Sequence, residues 1–201
     1  GRARYPLSGE CGGCHYQHLD YPAQLTAKRD ILIEQLRRIG GFTDPPVGET
    51  VPSSDPWGYR NHARFSVDAE GRLGYQAART NRVVPIRECP ILEPALAEAW
   101  PQIELEPGHG LSSLTLLAGA NEEALLALET ENGEAPEVEL DLPLSVVHLR
   151  ADGEGAVLAG SDHIVMEILG RPFRVSASSF FQANTAAAEE MVRRVLAALD
   201  L

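Results

Sequence analysis

The 201-residue chain predicts an α+β protein: a mainly antiparallel, β-rich centre with helices near the two ends. Three observations carry that expectation. Many short segments alternate apolar and polar residues and are separated by turn sequences. Helical periodicity is confined to a stretch after residue 20, the short run "LEPALAEAW" and the last segment. No internal repeat or low-complexity tract interrupts them.

Taken in order, residues 1–19 form a Cys-rich loop around "CGGCHYQH". Residues 20–41 read as an amphipathic helix. Pro22 suits its first position, Leu25, Leu32, Leu36 and Ile39 recur along one face, and Gly40-Gly41 suits its end. "TDPPVGETVPSSDPWG" is a Pro-rich connector that opens a β-rich domain over 42–177. In "NHARFSVD", Ala63, Phe65 and Val67 point one way and His62, Arg64 and Ser66 the other. "AEG" then turns the chain into "RLGYQA", and "RVVPI" follows as a third strand. "LEPALAEAW" is a short helix. Beyond it, "SLTLLAG", "EALLALETE", "SVVHLR", "GAVLAG" and "IVMEILG" into "RPFRVSA" read as further strands. In 178–201, "NTAAAEEMVRRVLAALDL" places Met191, Val192, Val195, Leu196 and Leu199 on one helix face.

Composition narrows the class. Hydrophobic residues at 44% and charged residues at 23% are ordinary for a soluble globular chain. No apolar run approaches the ~20 residues of a membrane span, and "GRARYPLSGE" has no apolar signal-peptide core. Three cysteines cannot all pair with one another. A Cys-x-x-Cys spacing suits a reducing, cytoplasmic setting with a metal or cluster. The chain opens without Met and reads as a fragment. Residues 1–100 carry 12 Lys plus Arg against 12 Asp plus Glu, whereas residues 101–201 carry 5 against 17. The net charge of −12 therefore lies in the second half, which is a poor nucleic-acid surface. Any RNA face must be local and built from first-half arginines. Lys28 is the one lysine, so the basic surface is nearly all Arg, which suits bidentate phosphate contacts or simply reflects composition.

Three groups of residues stand out. Cys11, Cys14 and Cys89 supply three thiols, one short of a closed tetrahedral site. His15 or His18 could complete a Cys₃His zinc site. The Gly12-Gly13 pair suits either close backbone approach to an inorganic group or a plain turn. In "GYRNHARFSV", Arg60, Asn61 and Arg64 gather polar groups at a strand start, either to grip RNA or as a solvated edge. In "SFFQAN", spacing alone reads Phe180 and Phe181 as core residues.

Five motifs in register, "CGGCHYQHLDYPAQLTAKRDIL", "GYRNHARFSV", "GRLGYQ", "ECPIL" and "SASSFFQANTAAAEEMV", resemble the RNA uracil-5-methyltransferase family. The resemblance runs from about residue 5 to the end. It implies methyl transfer from S-adenosylmethionine to uridine C5 in ribosomal or transfer RNA. It also implies an N-terminal TRAM domain, a central [4Fe-4S] domain and a C-terminal Rossmann-like methyltransferase domain. By resemblance Cys11, Cys14 and Cys89 match three of four cluster ligands, and Tyr5 stands where the fourth cysteine is expected. That leaves open an absent cluster, a three-iron form, an unusual fourth ligand, or zinc. Phe180 matches a residue that stacks near the target base, and Gln182 one that contacts S-adenosylmethionine.

The family's chemistry needs a Cys thiolate to add to uracil C6 and a base to remove the C5 proton. With all three cysteines at cluster positions, both groups are expected beyond Leu201. The helix of 178–201 is then the start of a truncated methyltransferase domain. The resulting expectation is a monomeric, cytoplasmic cluster and RNA-recognition portion of a methyltransferase, inactive alone, with no membrane role. The alternative is a stand-alone RNA-binding or metal-binding module.

Overall fold

A computed structural model describes residues 5–105, 110–138, 142–150 and 152–200. The first helix begins where the sequence supplies a cap. Asp20 has extended backbone, and its Oδ1 accepts from the Ala23 N–H at 2.9 Å, with proline in the first turn. Helix α1 then runs Tyr21–Arg38, with Arg37 and Arg38 at its negative end. None of its residues is buried, and Ile39 at its cap is 76% exposed. Along the apolar stripe expected from the periodicity, Leu25 and Leu36 are half-buried beside the connector that follows, while Leu32 and Ile39 are exposed.

The β-rich part comprises β1 His62–Val67, β2 Leu73–Gln76, β3 Val83–Pro85, β4 Leu111–Ala118, β5 Ala124–Thr130, β6 Ser145–Leu149, β7 Gly155–Ala159, β8 His163–Ile168 and β9 Arg171–Ser176. Helix α2, Pro94–Ala99, lies between β3 and β4, and α3, Thr185–Ala198, follows β9. The first seven strands make one sheet in the order β3-β2-β1-β4-β5-β6-β7, and β8–β9 form a separate hairpin. The architecture is α+β with a large, mostly antiparallel sheet. One pair departs from that pattern: β5 and β6 are parallel, with Leu126 opposite Val146. Parallel neighbours cannot share a tight hairpin, so the chain crosses over between Thr130 and Ser145.

Period-two alternation gives the sheet two faces. On one, Ala63, Phe65, Leu114, Leu116, Leu126 and Leu128 are fully buried beneath Leu96 and Trp100 of the α2 region. The Phe65 ring lies 5.2 Å from Trp100 and 5.4 Å from Tyr75, both tilted. Each large side chain buried in this way contributes roughly 1.5–3 kcal/mol. On the other face, Leu117, Leu125, Ala127 and Val147 are covered by Ile164, Met166 and Val175 of the β8–β9 hairpin.

The C-terminal segment is bound to this body by polar contacts. Asn184 caps α3 through the Ala187 N–H at 2.9 Å, and its Nδ2 donates to Ser53 Oγ at 3.0 Å. The Leu169 N–H donates to Glu189 at 2.9 Å. The expected apolar face of α3 is exposed at Met191, Val195 and Leu199. Among the described residues no helix is long and apolar enough to cross a membrane. Residues 1–4 of the expected Cys-rich loop, and Leu201, lie outside the described residues.

Candidate functional site

The three cysteines converge on Tyr5. Cys11 bridges to Ala77, just past β2, and the Gly12 N–H donates to Gln76 O at 3.1 Å. A Cβ on Gly12 would stand 2.2 Å from that oxygen, so the close approach requires glycine. Here the glycine pair fits the loop against a strand end. Burial pushes the Cys11 and Cys89 thiols up, and the neighbouring thiols add to this; the Gly13 and Ile91 N–H groups, donating to the two sulfurs, pull partly back. Tyr5 is buried among them with no hydrogen-bond partner for its hydroxyl. Burial, then the charges of Cys11 and Cys89, push its pKa far up, so it stays a neutral phenol.

Three thiols and a protonated phenol do not match the four thiolates that hold a cubane cluster. Among the described residues no group of three or more His, Cys, Asp or Glu is arranged to hold a metal ion. His15 and His18, the candidates for a zinc ligand, are exposed. The residues present therefore do not fit a [4Fe-4S] group, and no chemical step is derived through one.

The "GYRNHARFSV" residues separate into different settings. Arg60 is half-buried at a bridge to Leu92, and its Nε donates to His62 O at 3.0 Å. Asn61 is 3% exposed; its Nδ2 donates to Gln182 O at 2.8 Å and Thr185 Oγ1 at 3.0 Å. Its amide thus joins β1 to the segment before α3. Arg64 is exposed and pairs with Glu129 at 2.7 Å. Burial, then the Arg60 charge, lowers the pKa of His62 between them, so the ring is neutral at neutral pH.

Phe180 and Phe181, which spacing alone would bury together, divide. Phe181 packs on the cluster under the β8–β9 hairpin, whereas Phe180 is 84% exposed. Phe180 rims a cavity of about 140 Å³ shared with Asn61, His62, Leu117 and Met166. The Gln182 side chain is exposed while its carbonyl is held by Asn61. The structure therefore brings Asn61, Phe180 and Gln182 together and places Arg64 elsewhere.

Arg64 lies on a second cavity, of about 730 Å³, with Ser66, Gln76, Arg79, Asn81 and Ser113. Arg79 and Ser113 escape sequence reasoning. Arg79 has φ 61° in the turn after β2, a left-handed residue that no glycine or asparagine announces. Ser113 follows a bulge between Leu111 and Ser113; the doubled serine that breaks the alternation of "LSSLTLLA" is the available signal.

No family model matches the chain. An Aquifex aeolicus protein named an uncharacterized RNA methyltransferase is 33% identical over 214 residues, covering 97% of this chain and 49% of its own length. A Streptomyces avermitilis protein of the same name is 31% identical over 208 residues, covering 97% and 48%. Among solved structures, the Pyrococcus abyssi tRNA (uracil-54, C5)-methyltransferase in complex with S-adenosyl-L-homocysteine superposes with a TM-score of 0.69 at 26% identity. It covers 95% of this chain and 51% of its own. The chain spans about half the length of the curated relatives it matches.

One expectation is corrected by these findings. The chain is not read as an inactive cluster and RNA-recognition portion: its match to methyltransferases is continuous over nearly its whole length, and the solved neighbour carries the demethylated cofactor. Sequence and fold agree: the relatives that this chain matches are named RNA methyltransferases, and its solved neighbour is a tRNA uracil-C5 methyltransferase.

Proposed function

We propose that the protein represented by this chain methylates RNA at uridine C5, with S-adenosylmethionine as donor and transfer or ribosomal RNA as substrate. The observation that carries this reading is the superposition, over 95% of the chain, on a tRNA uracil-C5 methyltransferase bound to S-adenosyl-L-homocysteine. Bound S-adenosylmethionine would supply the methyl group. The described residues support recognition and positioning of the substrate base.

A uridine inside an RNA helix hides its C5, so the base must leave its stack. Phe180 presents an exposed ring beside a small, largely apolar cavity, a platform on which a displaced base can stack. Gln182 leaves its amide available to a polar ligand because the Asn61 contact uses only its backbone. Arg64 on β1 and Arg60 two residues before that strand supply guanidinium groups to meet phosphates. Burial keeps the Cys11 and Cys89 thiols protonated, so neither is assigned the attack on C6.

Deleting the gene and digesting total RNA to nucleosides tests the reading. 5-Methyluridine should disappear from one site in transfer or ribosomal RNA and return on complementation. Unchanged 5-methyluridine at every site would refute it.

A further inference from the structure

The face of the large sheet that carries the β8–β9 hairpin is only half covered. Register sets its residues: Arg64 lies opposite Thr115, Ser66 opposite both Ser113 and Gly74, and His62 opposite Leu117. From Leu117 toward β6 the face is apolar and buried under the hairpin. From Arg64 and Ser113 toward β2 it is polar and lines the 730 Å³ cavity.

We propose that this open half-face is an RNA-backbone groove in which Arg64 and Arg79 take phosphates while Ser66, Ser113 and Asn81 bond phosphate or sugar oxygens. The assignment rests on RNA being the substrate and adds to that reading a defined surface.

Charge is the first argument. The chain carries 29 acidic residues against 17 basic ones, yet the groove lining has two arginines and no carboxylate. An unpaired cation is the second. Arg79 is exposed and makes no ion pair or side-chain hydrogen bond among the described residues, so its guanidinium is free for a phosphate. Ser113 is the third: it is 6% exposed, it lines the groove, and its hydroxyl has no partner. Buried hydroxyls are normally hydrogen-bonded; this one lies beneath the groove lining, and rotation about its χ1 is what would bring it to a ligand oxygen. The Arg64–Glu129 pair does not close the site. Both side chains are solvent-accessible, and such a pair contributes little, so a phosphate can replace the carboxylate.

The test is fluorescence anisotropy of a labelled, uridine-containing single-stranded RNA titrated with this chain over a salt series. Arg79→Gln should weaken binding by about fivefold or more, within the range for one specific contact. It should also flatten the log K against log salt slope by about 0.7, the increment for one phosphate on a single strand. Glu129→Gln should act in the opposite direction and tighten binding, because it releases Arg64. Arg150→Gln, which removes the same charge from the β6–β7 turn, should change neither quantity. Inorganic phosphate matched in phosphate concentration should fail to displace the RNA; full displacement would make the groove a small-anion site and overturn the proposal. Unchanged affinity and slope in Arg64→Gln/Arg79→Gln, with RNA still bound, would also overturn it while leaving uridine methylation standing. Loss of 5-methyluridine on gene deletion is read separately, so failure of that reading is distinguishable from failure of the groove.

Discussion

One sheet face carries two unlike regions on the same strands. Where β4, β5 and β6 present Leu117, Leu125, Ala127 and Val147, the β8–β9 hairpin seals them from water. A few residues away, β1, β2 and the start of β4 carry Arg64, Ser66, Gln76 and Ser113, which line a cavity with the Gly12-Gly13 loop and the turn after β2 in place of an apolar cover. The backbone geometry is continuous across the boundary; the side chains differ. Apolar side chains attract a cover because burying them is favourable in proportion to area. Polar ones resist it, since each would need a partner. The sealed half is scaffold, and the open half is left for a ligand.

Substitutions separate the two halves by size of effect. Leu125→Ala, in the sealed half, should cost about 2–5 kcal/mol of unfolding free energy in urea titration. A loss below about 1 kcal/mol would mean that the hairpin does not pack there as described. Asn61→Ala, at the boundary, should cost about 1–3 kcal/mol, because the Gln182 carbonyl loses its buried donor. If it instead leaves stability intact and weakens RNA binding, Asn61 belongs to the RNA surface.

The contribution of His62 is read through pH. Burial, then Arg60, holds its folded pKa below the ordinary 6.5, so the folded protein binds fewer protons than the unfolded chain. Stability from this group is therefore fully present above pH 6.5 and falls as pH drops from there toward the folded pKa. His62→Gln should flatten that part of the urea-midpoint profile; an identical profile would place the ring in water. Ser113→Ala, in the open half, should change stability by no more than about 0.5 kcal/mol, since no protein partner is lost. A large loss would mean that the hydroxyl has a partner in the fold.

Much of this division is legible in the sequence. The alternation of "NHARFSVD" separates buried Ala63 and Phe65 from Arg64 and Ser66, because a half-buried strand imposes period two on its side chains. Helix α1 is announced by Asp20 and Pro22, whose effects are local. Long-range facts are not legible. The parallel β5–β6 pair depends on a crossover whose sequence carries no helical signal. Asn61 reads as an exposed polar residue until α3 is docked against it, and Phe180 reads as core until the hairpin leaves it outside. Tyr5 shows the converse: by resemblance it is one changed residue type in a cysteine pattern, and its phenol is buried without a hydrogen-bond partner.

Photo-crosslinking of a 4-thiouridine-containing RNA to this protein, with the modified peptides identified by mass spectrometry, tests the division of the face most directly. Crosslinks are expected on peptides spanning β1, the β2–β3 turn with Arg79, the start of β4, and Phe180. Crosslinks confined to β7 and the acidic segments around it, with none at the open half-face, would contradict it.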